Sequence, residues 1–327
     1  MTEPMVRDWA EAGSEITVAA LPHIAPVYRS IPSVTHVLEW SFKRKTLQLI
    51  KRFQISRELR GQYDLCVICP NSFKSALIPW FAAIPDRIAY LGEFRGWFLT
   101  QSLSNPERNH RGSMVSFYKA LGPLGKEKPS TLDLVTNPPY LKVKESLITR
   151  ALSLYGLTKG AYTVIAPGAE YGSAKRWPAE YYAELVSRVS QSGGTVIILG
   201  SKNDQAVAQQ IKKDSELRNS KIGSDIRNLA GETELLQAIA LIAAAKCMVS
   251  NDSGLMHIGA ALGVPQVAIF GSSSPLHTPP LSNKAKVIWL SLPCAPCFKR
   301  VCPLGHLKCL RDIDVGQVEA ALKIACS

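Results

Sequence analysis

The runs TVIA (163–166), TVIILG (195–200), IRNLA (226–230), CMVS (247–250) and QVAIF (266–270) decide the fold. Each is short and mostly β-branched or apolar, and each leads toward Gly, Ser, Asn or Asp, the mark of a buried strand with a turn at its carboxyl end. Helical patterns fill the gaps at 179–192, 204–213, 233–245 and 255–262, each long enough only for a crossover. Strand and helix in alternation predict the parallel sheet of a doubly wound α/β domain.

Upstream the rhythm is looser. Strands are expected in EITVAAL (15–21), DLCVICP (64–70) and RIAYLG (87–92), with helices near 3–11, 43–60 and 74–83. This predicts a second α/β lobe. LVTNPPYLKV (134–143) carries a Pro138-Pro139 pair typical of a connector. The expected domains are therefore 1–150 and 151–327, two Rossmann-like lobes. The chain opens on a helix, whereas a doubly wound lobe normally opens on a strand whose end makes the first ligand loop, so a strand is expected ahead of Met1.

Composition excludes several classes. With 46% hydrophobic and 20% charged residues the chain is an ordinary folded protein. The longest uncharged apolar stretch, 76–85, is about half of what a bilayer requires and contains Pro79. Met1 is followed by Glu3, Asp8 and Glu11, unlike a basic leader or an apolar signal core. A cytoplasmic protein without a membrane span is expected. The 38 Lys+Arg against 26 Asp+Glu give a net charge of +12. The first 160 residues hold 21 basic and 13 acidic residues, so most of the excess lies there. Such charge suits nucleic acid, an anionic membrane or a phosphorylated substrate. The basic segment 43–60 fits a solvated helix packed on its apolar side, and also a membrane surface.

Ligands of an open α/β sheet sit beyond the carboxyl ends of its strands. In the second half those loops are PGAEYGSAKRWP (167–178), GSKND (200–204), SNDSGLMH (250–257) and GSSSP (271–275). Asp252 or Ser253 would cap a helix whose first N-H groups, behind Gly254, can bind a pyrophosphate. A plain capped helix fits that segment as well, and His257 could be either a ligand contact or a packed core residue. Lys175 could neutralise a departing phosphate, or with Arg176 form a solvated basic turn. No Walker A loop, Gly-x-Gly-x-x-Gly, Gly-x-Ser-x-Gly or HExxH pair occurs, which argues against ATPase, nicotinamide, serine hydrolase and zinc protease chemistry. In the first half, Asn71, Ser72, Lys74, Ser75 and Arg95 follow predicted strands and suit a polar, anionic acceptor.

Eight cysteines do not form a disulfide framework. Cys66, Cys69, Cys247 and Cys326 are scattered through apolar segments. Cys294, Cys297, Cys302 and Cys309, with His306 between, are dense enough for a structural metal site, and a knot of reduced thiols explains them equally well.

The segments PGAEYGSAKRWP, NDSGLMHIGAALGVP, GSSSPLHTPPL and PNSFKSALIPWFAAIPDRIAYLGEFR resemble the ADP-heptose:lipopolysaccharide heptosyltransferases, closest to their heptosyltransferase II branch. The resemblance implies the two-lobed GT-B architecture and inverting heptose transfer from ADP-heptose to the lipopolysaccharide inner core, with no cofactor and no catalytic metal. Lys175 then matches the lysine that stabilises the leaving diphosphate. Asp252, Ser253, Gly254 and His257 match the donor loop, with Gly168, Ala169, Gly200 and Ser201 on the neighbouring turns. Asn71, Ser72, Lys74 and Arg95 fall where the lipid A-Kdo-heptose acceptor is approached. The implied setting is a monomer at the anionic cytoplasmic face of the inner membrane, with no nucleic acid partner. The family's general-base Asp, on a Gly-containing loop after its first strand, has no counterpart here, and Asp8, inside the first helix, does not match it. Either an upstream start is expected, or a truncated relative that binds sugar nucleotide and transfers weakly or not at all.

Overall fold

The computed structural model describes residues 1–43, 46–106, 112–123, 137–218 and 225–326. Residues 44–45 of the basic segment and 134–136 of the expected connector lie outside the described residues. The chain forms two compact units, Met1–Ala25 with Ser33–Ser130, and Pro26–Pro32 with Thr131–Ser327. The division precedes residue 150, because helix Glu145–Tyr155 packs on helix Leu235–Ala243 within the second unit.

In the first unit, β1 (Thr17–Ala20) pairs in parallel with β2 (His36–Glu39). A separate parallel sheet joins β3 (Leu65–Ile68), β4 (Asp86–Tyr90) and β5 (Gln101–Leu103) in that order. Neither β2 nor β5 is expected from the sequence: HVLE is four residues with both ends exposed, and QSL is three residues with one half-buried side chain. Helix Glu3–Glu11 begins with Pro4 in its first turn, where a missing N-H costs nothing, and buries Met5 and Val6. Trp9 Nε1 donates to the Leu121 carbonyl at 3.1 Å. Asp8 faces Lys119 Nζ at 3.7 Å, and burial raises its carboxyl above the usual range.

Helix Leu49–Leu59 departs from a simple amphipathic reading. Its inner face is Arg52, Ser56 and Leu59, with Arg52 only 4% exposed and donating to the carbonyls of Leu47 and Lys74. Its outer face carries Ile50, 78% exposed, with Leu49 and Phe53 about half exposed. Satisfied carbonyl bonds hold the guanidinium inside, and apolar side chains are left facing out.

The second unit is built on one six-stranded sheet: β6 (Tyr162–Ala166), β7 (Thr195–Ile198), β8 (Ile226–Asn228), β9 (Cys247–Asn251), β10 (Gln266–Phe270) and β11 (Ala285–Trp289). The spatial order is β11-β10-β9-β6-β7-β8, all parallel. Every residue of β6, β9 and β10 is buried, as expected where helices cover both faces of a parallel sheet. β11 is an edge strand with exposed Lys286 and Val287; its apolar run AKVIW is a strand that the sequence reading leaves out. The chain steps outward from β6 to β8, then returns to start β9 on the other side of β6. That reversal is the topological switch point, and the loops after β6 and β9 flank it. Leu141 N-H donates to Ala261 O at 2.9 Å and Lys142 N-H to Ser30 O at 2.8 Å, tying the start of the unit's main segment to both its core helix and the 26–32 stretch.

Candidate functional site

At the switch point, Asn251 ends β9 fully buried, a polar side chain that needs partners. Its Nδ2 donates to Pro167 O at 2.7 Å, while its Oδ1 accepts from Trp177 N-H at 3.1 Å and from the Tyr182 hydroxyl at 3.0 Å. Burial pushes the Tyr182 phenol far up, so it stays a neutral donor. Trp177, 2% exposed, donates its indole N-H to Ile313 O at 2.9 Å. These bonds fix the ends of the turn 167–177 against β9, and so place Lys175 beside Asp252.

Lys175 Nζ donates to Asp252 Oδ2 at 2.5 Å; the side chains are 16% and 4% exposed. The Thr278 hydroxyl donates to Asp252 Oδ1 at 3.2 Å, and His257 Nε2 stands 4.0 Å from the same oxygen. Burial lowers the His257 imidazole to about 4, so it is neutral at pH 7. Lys175 also lies 5.2 Å from the centroid of the Tyr171 ring, with the Arg300 guanidinium 5.3 Å from that ring. An ammonium carries three donors, so a partly exposed Lys175 can meet an incoming anion without leaving the cluster.

Ser253 is the N-cap of helix Gly254–Ala261, and its hydroxyl makes no cap bond. A Cβ at Gly254 would meet nothing within 4 Å, so its surroundings are open. The first turn's N-H groups, lacking partners one turn back, make this helix start attractive to an anion. Gly168, Gly200 and Ser201 have another task. Asp204, 4% exposed, accepts from the Ser201 N-H at 2.9 Å and hydroxyl at 2.8 Å. A Cβ on Gly168 would lie 2.5 Å from that carboxylate, so the turn after β6 closes only on glycine. Ala169 is buried at 2% exposure. These four residues shape the turn from inside, while Lys175, Asp252, Ser253, Gly254 and His257 form the cluster around Asp252 and the helix start.

In the first unit, Asn71 and Arg95 come together and Lys74 turns aside. Arg95 is 0% exposed, and all five N-H donors are engaged: Nε and Nη2 with Tyr90 O, Nη2 with Asn71 Oδ1 at 3.1 Å, and Nη1 with Pro70 O and the Ser75 hydroxyl. The expected rim cation is thus an internal tie between loops 91–98 and 70–75, and contact with an acceptor would require breaking these bonds. Ser72 caps helix Phe73–Phe81 by position, without a side-chain bond. Lys74 Nζ approaches Thr46 O at 3.5 Å. Asn251 and Thr278 escape the sequence reading, although an Asn closing a fully buried strand is itself a signal, since Asn disfavours strands.

Known proteins resemble this chain over most of its length. The model of "Glycosyltransferase family 9 (heptosyltransferase)" matches residues 52–308. Lipooligosaccharide heptosyltransferase 2 of Haemophilus ducreyi is 39% identical over 284 residues, 85% of this chain and 80% of that protein. Lipopolysaccharide heptosyltransferase 2 of Salmonella typhimurium is 38% identical over 282 residues, 84% of this chain and 79% of the relative. The solved structure of E. coli ADP-heptose lps heptosyltransferase II superposes with a TM-score of 0.82 at 33% identity, covering 99% of this chain and 94% of that one. The two Rossmann-like units are accordingly those of a GT-B enzyme, and the chain belongs to glycosyltransferase family 9, the heptosyltransferases.

Proposed function

We propose that this chain transfers L-glycero-D-manno-heptose from ADP-heptose to the inner core of lipopolysaccharide, inverting the anomeric centre in a single displacement: the acceptor oxygen bonds the anomeric carbon, the bond to the diphosphate oxygen breaks, ADP leaves, and the hydroxyl proton passes to water. The observation that carries the reading is the Lys175–Asp252–Thr278 cluster beside the start of helix Gly254–Ala261 at the switch point. The donor's diphosphate lies at that helix start, and Lys175 turns toward it as negative charge gathers on the leaving oxygen. A cation and fixed N-H dipoles placed where charge develops lower the barrier more than they strengthen the ground state. Asp252 holds Lys175 in reach until the diphosphate competes for it, and Thr278 keeps the carboxylate hydrogen-bonded meanwhile. No resident metal or cofactor is needed for this displacement. The acceptor approaches loop 70–75, where Asn71 is exposed and Ser72 and Lys74 are half-buried.

The protein acts as a monomer on the anionic cytoplasmic face of the inner membrane. The membrane contact is supported by exposed Ile50, Leu49 and Phe53, which share a helix with Lys51 and Arg57; the described residues contain no helix long and apolar enough to cross a membrane. Mixing the chain with ADP-heptose and a Kdo-heptose-bearing lipid A, with product read by mass spectrometry, tests the transfer. Expected is one added heptose and released ADP. ADP binding with no transfer would leave a sugar-nucleotide-binding relative, and no binding of ADP by folded protein would remove the donor site.

A further inference from the structure

Behind the Lys175 turn lies a second cluster with its own chemistry. Cys294, Cys297, Cys302 and Cys309 all line one cavity of about 180 Å³, whose wall also includes Ala174 and Ser272. All four are unbridged thiols. Gly305 N-H donates to the Cys302 carbonyl at 3.2 Å, closing a turn at the cavity wall. His306, the other ligand type at the cavity, already accepts the Lys308 N-H through Nδ1 at 3.0 Å.

The loop bearing these thiols is stitched to the Lys175 turn. Phe298 N-H donates to Ser272 O at 2.7 Å, Ala174 N-H to Arg300 O at 3.0 Å, and the Tyr171 hydroxyl to Phe298 O at 2.8 Å. A Cβ at Gly172 would meet the Arg300 carbonyl oxygen at 2.3 Å, so the two backbones are in direct contact. Whatever fixes the 294–309 loop therefore fixes the backing of Lys175.

We propose that Cys294, Cys297, Cys302 and Cys309 hold a thiolate-ligated centre of iron or zinc that pins this loop against the Lys175 turn. Four cysteines, two of them in a Cys-x2-Cys pair, are the ligand set of both zinc sites and iron–sulfur clusters. The sulfurs surround the cavity without converging: among the described residues no three His, Cys, Asp or Glu side chains are gathered to hold an ion directly. Loading then involves either bridging sulfide, as in a cluster, or rotation of the thiols about χ1 onto a single zinc. The role is structural, since the thiols stand behind the turn that carries Lys175.

The test is metal content of the full chain expressed with iron and zinc supplied, then purified without oxygen or chelator. Iron or zinc in stoichiometric amount is expected, and acid-labile sulfide with visible absorption distinguishes a cluster from colourless zinc. Bound metal should fall to background in Cys294→Ser/Cys297→Ser, and in Cys302→Ser and Cys309→Ser made singly should the double variant not fold. Folded protein with both metals at background, or metal retained undiminished by the folded variants, overturns the centre. Metal loss that leaves amide hydrogen exchange of the 167–178 and 294–309 segments unchanged overturns the pinning role. Metal content is read without ADP or acceptor, so its outcome is independent of whether the chain transfers heptose.

Discussion

Two cationic side chains, one in each unit, look alike in sequence and differ in structure. Arg95 is fully buried with all five donors engaged inside its own unit. Lys175 is 16% exposed and bonded to one carboxylate, on a turn that opens beside a helix start. A saturated cation is a tie, because moving it strands several carbonyls. A cation with donors in reserve can exchange partners, which charge stabilisation during bond breaking requires.

The largest test of that contrast is Lys175→Ala. Transfer should fall on the order of 100- to 1,000-fold, with ADP affinity changing much less, as measured by initial rates and calorimetry. Equal losses in both would make Lys175 a ground-state contact and dissolve the contrast. Asn251→Ala comes next. It removes a residue that satisfies three groups on two elements, so denaturant unfolding should show about 2–4 kcal/mol lost, with weaker ADP binding as the turn loosens. Unchanged stability would mean that the turn is held by Trp177 packing alone.

Arg95→Lys probes the other side of the comparison. Lysine keeps the charge but cannot reach the acceptors that the guanidinium fork serves, so about 1–3 kcal/mol of stability should go while ADP affinity stays level. A raised KM for the acceptor with stability intact would show Arg95 to be a binding charge after all. The last test concerns His257. Its imidazole is held below the unfolded value of 6.5, near 4, by burial. The unfolded chain thus takes up the proton first as pH falls below 6.5, and stability drops through the window from 6.5 to 4. His257→Gln should flatten that part of the melting-temperature profile, and an identical slope would place the titration elsewhere.

The second unit is the more legible because its central strands β6, β9 and β10 are buried throughout and read as apolar runs; QVAIF is β10 residue for residue. The first unit's β2 and β5 are short and half exposed, and nothing in HVLE or QSL separates them from loop. At the site, Lys175, Asp252 and the helix start stood out because polar residues after strands are conspicuous. Arg95 reads as a rim cation and is found buried, because a sequence shows that a residue is charged, not whether carbonyls surround it. The inverted helix Leu49–Leu59 follows the same logic: periodicity sorts apolar from polar, but Arg52 is drawn inward by two carbonyls that no local pattern announces. Asn251 and Thr278 contribute through partners distant in sequence, at positions 167, 177, 182 and 252.

The second unit takes in Pro26–Pro32, whose Ser30 carbonyl receives the Lys142 N-H, although the intervening chain builds the first unit. On the ribosome this segment emerges long before any strand of the sheet it serves, so it must wait in a non-native setting while the first unit is being synthesised. Translation order and assembly order therefore differ for these seven residues. Fragment exchange is constrained likewise: a chimera swapped at a single crossover near 137 would receive a second unit without its own 26–32 stretch. A functional graft has to carry both pieces.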